Sequence, residues 1–193
     1  MSGPEPGFAH VASAGGRPFP RSYPVMPGLY AGEWPGDGDR GRAAEKLSGL
    51  LRCGVDRIIR LTEDRETGLR SGQKPPYDKA LTALAATQGR RVRIESQPIP
   101  DYGVPDAPTM RAIVKIVRAA LDTGETVFIH CWGGRGRTGT VVACLLREFR
   151  GLSGDEALAE LVRLRADTPD AAAPSPETEE QREFVRNWEN APE

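Results

Sequence analysis

The stretch TVFIHCWGGRGRTGTVVACLL, residues 126–146, restricts the possible folds more than any other part of this chain. Residues 126–130 are apolar on both faces of an extended segment, which suits a strand in the middle of a sheet with helices covering both sides. Val141, Val142, Leu145, Leu146 and Phe149 then repeat at helical spacing and mark a buried helix. Between the two lie glycines interleaved with Arg135 and Arg137. A flexible linker does not interrupt two buried elements. A strand that turns through a glycine-rich loop into a helix does, and in an open α/β sheet that loop lies beyond the strand's carboxyl end, where ligands sit.

The remaining sequence repeats the same alternation. GLYAG (28–32), VDRIIRL (55–61) and RVRIES (91–96) read as strands. Ala43, Leu47, Leu50 and Leu51 share one helical face, Tyr77 to Gln88 forms a helix ended by Gly89, and Met110, Ile113, Val114, Val117 and Leu121 mark a third helix. Ser153 with Glu156 is a capping box opening a helix to Arg165. Ser175 followed by Pro176 predicts the N-cap and first turn of a last helix to Asn190. The polar segments 62–76 and 98–108 read as loops. Residues 1–26, rich in Gly, Pro, Ser and Ala, read as an extended or disordered lead-in, with one globular domain over 27–193. The class is α/β.

With 26 Lys+Arg against 27 Asp+Glu, no global field recruits nucleic acid or an anionic membrane, so any anion site must be built locally. Cys53, Cys131 and Cys144 are odd in number and contain no C-x-x-C pair, which argues against a disulfide framework and a zinc site. No apolar run approaches the roughly 18 residues of a membrane helix and no signal peptide opens the chain. A cytoplasmic protein without a membrane span is expected.

The loop's chemistry follows from its residue types. Gly133, Gly134 and Gly136 allow backbone N–H groups to converge as an anion nest at the start of the next helix. A nucleotide-binding P-loop would require a glycine where Cys131 stands and a lysine where Arg137 stands. An electropositive nest instead favours the thiolate of Cys131, the reactive form of the sulfur. Arg137 can hold two oxygens of a tetrahedral dianion with its planar fork, and Thr138 can donate its hydroxyl to the sulfur. The implied chemistry is phosphoryl transfer to sulfur.

HCWGGRGRTG (130–139) matches the H-C-x-x-G-x-x-R-[ST]-G signature, and the chain thereby resembles the cysteine-based protein tyrosine and dual-specificity phosphatases. RSYPVMPGLYAGEWPG, LTEDRE, PIPDYGVPDAP and SPETEEQREFVRNW are similar to bacterial members, extending the resemblance from Arg21 to Trp188. It implies a central mixed, mostly parallel sheet flanked by helices, no metal or other cofactor, and a covalent cysteinyl-phosphate intermediate.

The resemblance also assigns roles. Asp101, in a Pro- and Gly-bounded loop upstream of the cysteine, matches the family's general acid, whereas the neighbouring Asp106 suits a helix cap. His130 orders the loop. Gln181 is read either as a buried residue bonded to backbone or as the group that positions the hydrolytic water. Trp132, Gly133, Gly134, Arg135, Gly136 and Arg137 complete the phosphate-binding set. Arg135 is a solvated rim residue or the contact for a second acidic group of the substrate. Trp132 stands where phosphoinositide phosphatases carry a second basic residue, which weakens a lipid reading. Cys144 reads as an inert core thiol, with a Cys53–Cys131 disulfide left open. The resemblance implies phosphotyrosine in proteins as the substrate. The alternatives are an inositol phosphate, phosphoinositide or other small phosphate ester, and a phosphate-binding module without activity.

Overall fold

The computed structural model describes residues 16–64, 66 and 76–189. Residues 1–15, where most of the expected lead-in falls, lie outside the described residues, as do 65, 67–75 and 190–193. Five strands, β1 (Ser22–Met26), β2 (Leu29–Gly32), β3 (Val55–Arg60), β4 (Arg93–Ser96) and β5 (Thr126–His130), form one sheet in the order β1-β2-β5-β3-β4. The β2–β5, β5–β3 and β3–β4 pairs are parallel and β1 joins β2 antiparallel, giving the mixed, mostly parallel sheet expected. The apolar strand β5 sits at its centre.

Among the described residues six helices cover the sheet: α1 (Arg40–Arg52), α2 (Asp78–Thr87), α3 (Ala107–Asp122), α4 (Gly136–Arg150), α5 (Gly154–Leu164) and α6 (Glu179–Asn187). Strand alternation sends Val127 and Ile129 to one face, where they join Leu29, Ala31 and Ile59 against α3 and α4. Phe128 points the other way and packs with Tyr30, Ile58, Leu50 and Leu81 from the α1 and α2 side. The buried stripe of α3, from Met110 through Ile113, Val114 and Val117, stabilises the first layer by about 1.5–3 kcal/mol per large side chain. Asp106 caps that helix, accepting from the backbone N–H of Thr109 at 2.8 Å.

Two expectations are corrected. The boundary at residue 26 falls inside the domain: β1 is a sheet strand, and Phe19, Tyr23 and Val25 are buried. As an edge strand, β1 tolerates Pro24, which has no N–H for the ladder and so weakens the strand signal in the sequence. The last helix starts later than Ser175-Pro176 suggests. Its N-cap is Thr178, in a capping box with Gln181, while the Ser175 hydroxyl donates to the Arg135 carbonyl at 2.8 Å.

Register fixes where the site must be. Gly32, Arg60 and His130 are paired across β2, β3 and β5, and Arg60 is paired with Ser96 of β4. Four parallel strands therefore end at one edge. The segments that follow them carry Glu33, Glu66, Asp101 and Cys131, which brings residues distant in sequence to one place.

Candidate active site

Cys131 follows β5 directly and is 3% exposed. The loop after it crosses the end of β2: a Cβ on Gly134, whose φ is +73°, would stand 2.5 Å from the backbone N of Glu33, so only glycine fits there. Helix α4 begins at Gly136. Its N-cap, Arg135, supplies no side-chain cap and its first turn holds no acidic residue. The first N–H groups of a helix have no partner within it, so the positive end of α4 faces the loop that carries the thiol. Thr138 is fully buried, and its hydroxyl has no hydrogen-bond partner among the described residues; no bond to the Cys131 sulfur is formed.

Arg137 is 2% exposed and held by three groups. Glu66 takes it in a two-pronged pair, Oε2 to Nη1 at 2.6 Å and Oε1 to Nη2 at 2.7 Å. The carbonyl of Ile99 accepts from Nη1 at 3.2 Å, and Asp101 Oδ1 lies 2.9 Å from Nη2. The pair with Glu66, together with the charges of Cys131 and Asp101, outweighs burial and keeps the guanidinium firmly protonated. Of the two carboxylates, Glu66 is nearly buried, whereas the Asp101 side chain is 46% exposed and can leave. Sequence reading passed over Glu66. The available signal was physical: a buried cation requires an anion, and the LTEDRE stretch leaves β3 at the same sheet edge.

His130 is fully buried between the loop and α2. Its Nδ1 is 2.9 Å from the Cys131 carbonyl and its Nε2 is 2.7 Å from the Tyr77 hydroxyl, so the ring bridges the loop and the start of α2. Trp34 packs edge-on against both rings and is tilted against Trp132 at 5.9 Å. Trp132 is half-buried against Trp34, with its carbonyl accepting from the Trp34 N–H at 3.1 Å. Arg135 is partly exposed and paired: Glu177 Oε1 is 2.6 Å from its Nη2, and Asp170 Oδ2 is 3.9 Å from its Nε.

Gln181 is fully buried, with its carboxamide bonded to backbone. Oε1 accepts from the N–H groups of Glu177 and Thr178 at 3.0 and 3.2 Å, and Nε2 donates to the carbonyl of Gly103 at 2.9 Å. Cys144 is fully buried and burial pushes its thiol well up, as fits an inert core residue. Cys53 caps α1 at the opposite edge of the sheet, before β3 begins, and its Sγ lies 3.4 Å from the carbonyl of Gly16. Strands β3 and β5, in parallel register from Val55–Thr126 to Arg60–His130, separate it from Cys131 by some 15 Å or more, well beyond the roughly 7 Å between Cα atoms that a disulfide spans. A Cys53–Cys131 disulfide is thereby ruled out in this fold. Among the described residues no cluster of three or more His, Cys, Asp or Glu is arranged to hold a metal ion, and no helix is long and apolar enough to cross a membrane.

One family model covers most of the chain, the loop and both flanking elements included. Residues 36–189 match the model described as the Swiss Army Knife protein, DSP-PTPase phosphatase domain. The chain belongs to this phosphatase family. The fold recurs among solved structures. The Tk-PTP structure in its active form is 28% identical, with a TM-score of 0.65 over 87% of this chain and 95% of that one. Kinase associated phosphatase, solved with its catalytic-site cysteine replaced by serine, shares the fold at a TM-score of 0.61 and 23% identity, over 81% of this chain and 83% of that one. Among curated proteins, an uncharacterized protein of Methanocaldococcus jannaschii is 40% identical over 91 residues, 47% of this chain and 56% of that protein. Protein tyrosine phosphatase domain-containing protein 1 of Bos taurus is 38% identical over 71 residues, 37% of this chain and 8% of that protein. The matched segment spans about half the length of the first curated relatives.

Proposed function

We propose that this phosphatase domain hydrolyses phosphomonoesters through a phosphorylated Cys131, with phosphotyrosine in proteins as its substrate. The observation that carries the reading is the Arg137 cluster. Four parallel strand ends bring Cys131, Arg137, Asp101 and Glu66 together, and Asp101 lies 2.9 Å from the arginine in a position where an incoming dianion competes with it. When the phosphoryl oxygens take the arginine's Nη2 and the N–H groups at the start of α4, the more exposed carboxylate is displaced toward the leaving oxygen. Glu66 stays and keeps the guanidinium plane in place.

The chemistry then runs in two steps. The Cys131 thiolate attacks phosphorus, the bond to the ester oxygen breaks, and Asp101 gives that oxygen its proton, yielding the free alcohol and a phosphorus–sulfur bond. Water next attacks phosphorus, Asp101 takes up its proton, and the sulfur leaves as thiolate. The unpartnered Thr138 hydroxyl is available to donate to the sulfur in both steps.

The surroundings favour a protein substrate over a lipid or inositol phosphate. PTPMT1, solved in complex with PI(5)P, and a phosphatidylinositol 3,4,5-trisphosphate 3-phosphatase of Arabidopsis thaliana are among the proteins similar to this one. Here, however, Arg135, the extra loop cation, is neutralised by Glu177 with Asp170 close by, and the position after the nucleophile is aromatic. A second phosphate would meet carboxylates rather than open cations.

The test is phosphate release, without added metal, from phosphotyrosine, phosphoserine and phosphothreonine peptides, inositol phosphates, phosphoinositides and mononucleotides. We expect turnover of phosphotyrosine peptides that is abolished in Cys131→Ser and falls by about 10²- to 10⁴-fold in Asp101→Asn. Turnover confined to the lipid or small-molecule arms would move the substrate class while keeping the mechanism. Phosphopeptide binding without turnover in any arm would refute the enzyme reading.

A further inference from the structure

We infer that Gln181 is a positioning residue for the acid: its hydrogen bond to Gly103 holds the Asp101 turn beside the phosphate loop. The inference rests on the reading of Asp101 as general acid given above.

The carboxamide's bonds decide its role. Its oxygen already accepts two backbone N–H groups where the chain turns into α6, and one of its two N–H bonds goes to Gly103 in the acid loop. The orientation is fixed by this network, because the opposite flip would set the NH₂ group against two N–H donors. With both lone pairs of its oxygen used, Gln181 has no acceptor left to receive a hydrogen bond from a water aligned for attack. Its place also suits a brace. A Cβ on Gly136 would come within 3.1 and 3.2 Å of the two carboxamide heteroatoms, so Gln181 lies against the first residue of α4 with the acid loop on its other side.

The turn it grips needs a brace. Tyr102, between Asp101 and Gly103, has φ +58° and is the only non-glycine residue with a positive φ among the described residues. A non-glycine residue in this region costs about 1–3 kcal/mol and persists only where its surroundings hold it there. Its own ring is 52% exposed and offers little packing. The turn is closed internally by Gly103 N–H to the Pro100 carbonyl at 2.9 Å and by Tyr102 N–H to Asp101 Oδ1 at 3.1 Å. Besides the Asp101–Arg137 pair, it is tied outside itself at two points. Before it, Ile99 bonds to Leu61 and Arg137; after it, Gly103 bonds to Gln181. Once substrate displaces Asp101 from Arg137, the second tie is the one that keeps the carboxyl near the leaving oxygen.

Gln181→Glu keeps both acceptors and the capping box but loses the N–H that reaches Gly103, and Gln181→Met removes every polar atom without adding charge. Both would be assayed on aryl phosphates from p-nitrophenyl to phenyl and tyrosyl, alone and combined with Asp101→Asn. Protonation matters little for a good leaving group and much for a poor one. We expect kcat/KM to fall about 10-fold or more for phosphotyrosine and phenyl phosphate and to change little for p-nitrophenyl phosphate, with the loss disappearing in the Asp101→Asn background. Retained p-nitrophenyl phosphate turnover also reports an intact fold, and Gln181→Glu serves if Gln181→Met does not fold. Unchanged kcat/KM, with kcat lowered equally for all esters after a burst of phenol, would assign Gln181 to the hydrolytic water and overturn the inference. So would an equal loss of kcat/KM for every ester, or a loss undiminished beside Asp101→Asn. A wild type inactive on all esters would instead defeat the phosphatase reading beneath it.

Discussion

At the scale of single residues, the site is organised around a buried cation. Arg137 is useful to a phosphoryl group only if its fork is held flat and facing the loop, and Glu66 supplies that hold from a segment 71 positions away. Removing one partner of such a pair leaves a buried charge partly uncompensated, and hydrogen bonds to charged groups contribute about 1.5–3 kcal/mol. We therefore expect Glu66→Gln to lower the urea midpoint by a stability loss in that range and to reduce kcat/KM about 10-fold. A variant with unchanged midpoint and unchanged kcat/KM would show that the pair is incidental. Cys131, Arg137 and Thr138 were legible in sequence because a rigid loop packs its chemistry into adjacent positions. Glu66 was not, since which of several loop carboxylates meets the arginine is set by how two chain segments converge in space. Arg135 and Gln181 were seen but read incompletely for the same reason, as their partners come from the 170–178 segment and from Gly103.

At the scale of elements, the helices were the most legible part, because each combines an apolar stripe with a local stop signal. The Ser153–Glu156 capping box appears as read, with the Ser153 N–H donating to Glu156 at 2.8 Å. The start of α6 was misplaced because two hydroxyl residues compete for the cap, and only the fold shows that Ser175 is spent on the phosphate loop. Helix α5 is tied to the end of α4 by Glu160, 2.5 Å from Arg163 and 2.6 Å from Arg150. Hydrogen bonds from Arg163 and then Arg150 hold the Glu160 carboxyl down at about 2. A lowered folded value means that the contribution is complete above the ordinary value of 4.5 and is lost as pH falls toward 2. The group is near the surface, so its worth is on the order of 0.5 kcal/mol. Thermal melts of wild type and Glu160→Gln should differ slightly at neutral pH and converge only as pH falls through about 2. A gap that widens on acidification would contradict the assignment.

At the scale of the molecule, α/β class and the central place of β5 followed from one apolar run leading into one glycine loop. The edge strand β1 escaped because an edge is under weaker sequence constraint, with fewer ladder bonds to satisfy and less surface to bury. What the whole fold contributes to function is convergence: parallel strands in register deliver a thiol, a clamp and two carboxylates to one edge, while Cys53 and Cys144 are kept away from it. The proposed mechanism requires that phosphorus pass through sulfur. The most direct measurement is rapid acid quenching during turnover of a phosphotyrosine peptide, followed by digestion and mass spectrometry of the peptide containing Cys131. We predict a phosphoryl group on Cys131 that accumulates in Asp101→Asn relative to its rate of formation and is absent in Cys131→Ser. Turnover with no phosphorylated cysteine in wild type or in Asp101→Asn, and with activity surviving in Cys131→Ser, would contradict the mechanism.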